Sequence, residues 1–229
     1  MRLRLLVALL GPASAVGIFA QQIPVPVVSG HPFSADEVDI ASPSPNVRNV
    51  PPKQTTRVYR DSAGRTRIDA SISANQISSH FVDINDPVAG FYCTLDSDKK
   101  VARRIVYSAG VGQPIRTTVN PADEVRFYRP GGASLSTPQS EPLGSERIAG
   151  LMAEGLRITT KYSPNSRGDE ETWFSPDLQM TLRIQIFNSI MGNRTINLEN
   201  LDQRDPDPSL FLIPSDYTIL DALTKQPAK

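Results

Sequence analysis

Few residues of this chain have the type and spacing that catalytic or metal chemistry needs. The only cysteine is Cys93, and the only histidines are His31 and His80. A nucleophilic cysteine needs an accessible thiolate with a base beside it, but Cys93 alternates with Phe91 and Leu95 in an apolar pattern. The sequence therefore predicts a buried structural cysteine. Because zinc sites need three or four suitably spaced ligands, it also predicts no metal site.

The carboxylates stand in short clusters beside turn-forming residues: Asp83 and Asp86, Asp96 and Asp98, 169–171, Asp205 and Asp207. Asp in such positions hydrogen-bonds its own backbone in turns, and calcium held by such loops is the alternative. Glycosidase chemistry would need two carboxylates across one cleft. The chain has no Gly-rich phosphate loop, nucleophile elbow or dinucleotide fingerprint. We therefore predict no catalytic residue, no cofactor and no enzymatic activity.

Apolar side chains are the remaining candidates for a site. Aromatic residues of the second half either line a pocket for an acyl chain or another apolar ligand, since such pockets are mostly hydrophobic, or form plain core. The residues that we expect to face such a ligand are Phe91, Trp173, Met180 and Ile184.

Period-two alternation determines the predicted fold. Leu178, Met180, Leu182, Ile184 and Ile186 would share one face of a half-buried antiparallel strand. Hairpins are predicted over 57–69, with Gly64 at the tip, and over 91–106. The fold class that follows is mainly β, with a single large curved antiparallel sheet or a half-open β-barrel and little helix.

Composition also divides the chain into segments. Prolines crowd the region before residue 55, although Val38 and Ile40 there suit one early strand, and Pro and Gly interrupt the alternation again over 107–142. The predicted organisation is a signal peptide at 1–20, a Pro-rich extended segment at 21–54, an antiparallel β domain at 55–220 with a long loop at 107–142, and a tail at 221–229.

The first twenty residues and the overall charge indicate where the protein acts. Arg2 and Arg4 precede a short apolar run that ends in small residues at Ala20, which is typical of a signal peptide. We therefore expect an exported protein, periplasmic or extracellular, without a membrane span after leader removal because no second long apolar stretch follows.

The charge balance and the cysteine count exclude further possibilities. The 24 basic residues match the 24 acidic ones, which argues against nucleic-acid binding. One cysteine excludes an internal disulfide.

Several segments together resemble a group of uncharacterised exported bacterial proteins: 57–67, 84–90, 92–96, 143–150, 171–178 and 206–217. A tryptophan strand, a following apolar strand and the Leu-Phe-x-Ile-Pro segment at 210–214 are more distantly similar to Lol-type lipoprotein carriers. That resemblance implies a half-open antiparallel β-barrel whose concave face, partly covered by helices, accepts acyl chains. It assigns no ligand contact to a numbered residue of this sequence.

Two functions follow from these observations. The first is an exported, non-enzymatic envelope protein that holds an apolar or lipid-like ligand on the concave face of its sheet. The alternative is an interaction module that binds another envelope protein through its long loop or a sheet edge.

Overall fold

The computed structural model describes residues 26–42, 53–74, 77–110, 137–163, 166–188 and 192–221. The strands are β1 (Phe33–Ser42), β2 (Gln54–Arg60), β3 (Thr66–Ala74), β4 (Ile77–Asp86), β5 (Phe91–Asp96), β6 (Val101–Val106), β7 (Gln139–Ile148), β8 (Leu151–Ser163), β9 (Ser166–Ser175), β10 (Met180–Asn188), β11 (Gly192–Asp202) and β12 (Thr218–Asp221). One 3-10 turn spans Pro208–Phe211. No helix within these ranges has the length and apolar character to cross a bilayer. The predicted signal peptide lies outside the described residues.

All strands belong to one 12-stranded sheet, in the order β12-β6-β5-β4-β3-β2-β1-β11-β10-β9-β8-β7. Strand β1 lies in the middle, between β2 and β11, and so joins two meanders. Neighbouring strands are antiparallel except β12, which runs parallel to β6. The predicted class is therefore confirmed: a large curved sheet with little helix, which does not close into a barrel.

The local predictions can be checked against these strands. The β2–β3 and β5–β6 hairpins are both present, and Gly64 has the positive φ of 84° that its turn requires. The alternating strand begins at Met180 instead of Leu178. Leu178 lies in the preceding turn, but it is still only 1% exposed because it packs into the core.

The sheet buries apolar side chains on both of its faces. The first core gathers residues from β1 to β3 and from β7 to β11, including Phe33, Val58, Trp173 and Leu182. It is a contiguous cluster built from the protein's own side chains. Burial of this apolar surface is the main favourable contribution to folding.

The second core lies on the opposite face, and the register shows why. Ile68 of β3 belongs to the first core and stands opposite Asp83 of β4. The neighbours of Asp83 along β4, Val82 and Ile84, therefore point to the other face. There they pack with Cys93 and Leu95 of β5 and with Ala102 of β6. Ile213 and Tyr217, which precede β12, pack against this second core.

Strand β7 corrects one boundary of the sequence interpretation. It begins at Gln139, inside the range 107–142 that is predicted as a loop, so that loop ends earlier than expected. Residues 111–136 of the range lie outside the described residues. Pro142 made the segment resemble a loop, but β7 is the outermost strand of the sheet, and an edge strand tolerates proline because one side of it needs no ladder bonds.

Candidate functional site at the open edge of strand β7

The four residues predicted to face an apolar ligand do not converge on one place. Trp173 and Met180 share the first core. Phe91 packs against the second core, on the opposite face of the sheet. Ile184 is only 2% exposed but belongs to neither core. The structure thus brings together two of the four.

Trp173 has one feature that an ordinary core residue lacks. It is 8% exposed, and its buried Nε1 has no hydrogen-bond partner among the described residues. A buried indole N–H usually has an acceptor. The first core therefore contains an unsatisfied donor beside apolar side chains.

Cys93 is the buried residue that the sequence predicts. It is 0% exposed, and burial raises the pKa of its thiol to about 11. The charge of Asp83 raises this pKa further, while that of Arg104 opposes the shift. At neutral pH the side chain is a protonated, inaccessible thiol, which is unsuited to nucleophilic attack.

The turn prediction for the clustered carboxylates is correct only in part, because 169–171 lies within strand β9, where Glu171 pairs with Arg157 at 2.7 Å. Asp86 Oδ1 accepts hydrogen bonds from the amides of Val88 and Ala89. Asp207 Oδ1 accepts one from the amide of Ser209 at the start of the 3-10 turn. No group of three or more His, Cys, Asp or Glu side chains within the described ranges is placed to hold a metal ion.

Strand β7 is the longer of the two strands at the ends of the sheet. Strand β7 is ten residues long and exposed along almost all of its length, apart from Leu143 and Ile148. One side pairs with β8, and no strand of the described residues pairs with the other side. An unpaired strand edge presents N–H and C=O groups to which a further strand can bond.

The turn between β7 and β8 determines which groups point outward. Ala149 and Gly150 have positive φ angles of 48° and 86°, the signature of a two-residue type I′ turn. In such a hairpin the flanking residues, Ile148 and Leu151, form a hydrogen-bonded pair, and the pairs then alternate. The backbone groups of Arg147 and Ser145 therefore face away from β8, toward the open edge.

The same alternation explains the position of Pro142. After a register shift between Pro142 and Gly144, Gly144 pairs with Gly155 and Pro142 with Leu156. Continuing the alternation along β8 places Pro142 at a site that points away from β8. Its missing N–H consequently interrupts the open edge and does not weaken the β7–β8 ladder.

Exposed apolar side chains adjoin this edge. Met152 lies directly opposite Arg147, and Phe174 lies opposite Glu154, so these side chains share one face of the sheet with Leu156. Met152, Leu156 and Phe174 are 42%, 38% and 40% exposed; we call them the apolar strip. The opposite face of the same strands carries Trp173 and the first core.

Sequence reasoning did not find this edge. The signal was present in Ile148-Ala149-Gly150-Leu151, where a small residue and a glycine stand between two apolar residues. The glycines and Pro142 obscured the strand before it.

No protein-family model and no curated protein matches the sequence. Several solved structures are similar to it. An uncharacterized conserved protein from Thermus thermophilus has 10% identity and a TM-score of 0.47, with 84% of this chain and 91% of that chain covered. The MucA/MucB complex of Pseudomonas aeruginosa has 14% identity and a TM-score of 0.46, with 83% of this chain covered.

This chain spans 58% of the length of that matched Pseudomonas chain. A LolA superfamily protein from Nitrosomonas europaea has 10% identity and a TM-score of 0.32, with 80% and 90% of the two chains covered.

Proposed function

We propose that this is an exported, non-enzymatic binding protein that takes up an extended segment of a partner protein on the open edge of β7. The observation that carries the proposal is the outward-facing backbone of Ser145 and Arg147 beside the apolar strip. Main-chain hydrogen bonds supply affinity in strand addition, and neighbouring side chains supply selectivity. The leader-like first twenty residues support an envelope location.

The first core favours this proposal over a ligand held inside the sheet. Its residues come from eight strands and include Phe33, Ala35 and Leu182, which are at most 1% exposed. Such side chains pack against one another and expose almost no apolar surface to an acyl chain. The open edge is already accessible.

Peptide selection with a backbone readout tests the proposal. A displayed library of random short peptides is selected against the full protein, and bound peptides are mapped by hydrogen exchange. We expect protection of the amide protons of Ser145 and Arg147. Selected peptides that protect other amides, or a library that yields no binder, would contradict the proposal.

Two variants of one residue sharpen this test. Arg147→Pro removes an outward N–H that the β7–β8 ladder does not use, so the selected peptides should lose binding while the fold persists. Arg147→Gln keeps that N–H and should retain protection of the Ser145 amide. Emission of the single tryptophan, Trp173, reports whether each variant is folded.

The unsatisfied donor of Trp173 supports a second candidate function, the binding of an apolar ligand with an oxygen acceptor. A carbonyl or carboxylate entering the first core would satisfy Nε1. Palmitate is a suitable probe, because its carboxylate can accept a hydrogen bond from Nε1 and its alkyl chain can contact the apolar side chains of the first core. A saturable change in Trp173 emission would support this function if Met180→Ala weakens it and Phe91→Ala does not. The absence of a saturable change would exclude palmitate binding at this position.

A further inference from the structure

Two charged side chains at the open edge, Arg147 of β7 and Glu154 of β8, form no ion pair with any residue that the structure describes. Resting on the strand addition proposed above, we infer that the partner strand bears a carboxylate beside Arg147 and a Lys or Arg two residues away, beside Ser145. The basic side chain reaches across Ser145 to Glu154. The partner is thus an extended acid-x-base or base-x-acid segment, according to its direction.

The first step of the argument concerns Arg147. Apart from the buried Arg60, the other arginines of the described residues all form ion pairs with carboxylates. Arg147 forms none with these residues, and its Nη1 donates to the Gly150 carbonyl at 2.7 Å. The guanidinium therefore keeps free donors beside the open edge, in the planar arrangement that suits a carboxylate.

The second step concerns Glu154. It lies opposite Ser145 on β8, is exposed, and forms no ion pair with a described residue. The small Ser145 side chain separates it from the position of an added strand. A Lys or Arg on that strand is long enough to pass over a serine and reach the carboxylate.

The third step is the spacing of the two charges. Ser145 and Arg147 are two residues apart, so their side chains lie on the same face, and both direct their backbone groups outward. The two residues of a partner strand that lie beside them also share that face. A partner strand with an acidic residue beside Arg147 and a basic residue beside Ser145 pairs with Arg147 and Glu154 at the same time. If these two partner residues are exchanged, like charges lie next to each other at both positions.

The neighbouring β7 side chains do not compete for these charges. Glu146 points to the other face, where it accepts a hydrogen bond from Arg183 Nη1 at 3.1 Å. Glu141 lies beyond Pro142 and pairs with Arg157 at 3.2 Å. The two open charges are therefore confined to the short stretch of edge where the backbone is also unpaired.

Matched peptides and a charge swap test the inference. Three synthetic peptides share one Thr-Val alternation and differ only at two positions two residues apart: Glu then Lys, Lys then Glu, or Gln at both. One charged order should bind about two- to fivefold more tightly than the Gln peptide, in keeping with the strength of exposed ion pairs. The other charged order should bind less tightly than the first, because it must either place like charges together or pair in the less favourable direction.

The variant with Arg147→Glu and Glu154→Arg should reverse the preference between the two charged peptides. Arg103→Glu, at an exposed position of β6 near the other end of the sheet, is the control and should leave the preference unchanged. If the three peptides bind equally and still protect the Ser145 and Arg147 amides, the charge inference is wrong but strand addition stands. If no peptide protects those amides, both proposals are wrong.

Discussion

The indole ring of Trp173 lies against the backbone of Gly155 on the neighbouring strand. A Cβ atom at residue 155 would come within 2.8 Å of ring atoms Cη2 and Cζ3, and equally close to Cβ of Leu143. Glycine is thus required here by close approach, and the large ring covers the gap that the missing side chain leaves. This contact joins strands β7, β8 and β9 into the first core behind the proposed binding edge.

Gly155→Ala should destabilise the protein by about 1–3 kcal/mol, the usual range for overpacking a core. The added methyl group would push Trp173 or Leu143 from its position. The free energy of unfolding in urea, followed by Trp173 emission, measures the effect. Ser145→Ala, exposed on the neighbouring strand, is the control and should change it little; equal stability of both variants would contradict the close packing.

A buried arginine ties the N-terminal segment to the β9–β10 turn. Arg60 is 5% exposed, its Nε donates to the His31 carbonyl at 2.8 Å, and its Nη2 donates to the Leu178 carbonyl. Its guanidinium also lies 4.9 Å from the centre of the Phe33 ring. Burial lowers the pKa of Arg60 to about 10, so the side chain remains charged at neutral pH.

Arg60→Lys should therefore destabilise the protein despite keeping the charge. A lysine has no planar fork with which to reach both carbonyls, and losing hydrogen bonds of a charged group costs about 1.5–3 kcal/mol. Urea unfolding measures the loss. Arg103→Lys, on an exposed side chain, is the matched control, and a similar small effect in both variants would argue against the role of the two carbonyl bonds.

Asp36 links β1 to both neighbouring strands. Its carboxylate accepts a hydrogen bond from Asn200 at 2.7 Å and one from Arg57 at 3.0 Å. The hydrogen bond from Asn200, followed by the contacts with Arg57, holds the pKa of Asp36 below its ordinary value, against the opposing effect of burial. Because the folded pKa lies below the unfolded one, this stabilisation is present above the unfolded pKa of about 3.9.

The stabilisation that the ionised Asp36 contributes is lost as the pH falls through its lower, folded pKa. We therefore expect the free energy of unfolding to decrease from about pH 6 to about pH 3 by less in Asp36→Asn than in the wild type. Denaturant titrations at both pH values measure the difference. Asp98→Asn, an exposed position in the β5–β6 turn, should behave as the wild type; an unchanged slope in Asp36→Asn would refute the linkage.

Pro142 should limit association between copies through β7. In the antiparallel register that pairs the largest number of outward positions of two β7 edges, Pro142 would face Ser145 of the second copy, and each half would lose a hydrogen bond. Glu141 would also meet Glu146 with like charge. Pro142→Ala restores the N–H, so we expect more self-association in sedimentation at high protein concentration. Pro138→Ala, just before the strand, should not increase it, and an unchanged Pro142→Ala would indicate that another feature protects the edge.

The sequence by itself predicted most of the strands but not β7, because alternation follows directly from the two faces of an extended backbone and Pro and Gly interrupt it in β7. It also determined that Cys93 is buried, that Asp86 and Asp207 serve turns, and that a hairpin turns at Gly64. It could not show that Phe91 and Trp173 lie on opposite faces, since alternation gives a parity within each strand but no relation between strands. That relation comes from the pairing register of β3 with β4, where the core changes face. Nor could it place Pro142, because only the position of β7 at the sheet's edge makes a missing N–H harmless, and that position results from the order of all the other strands.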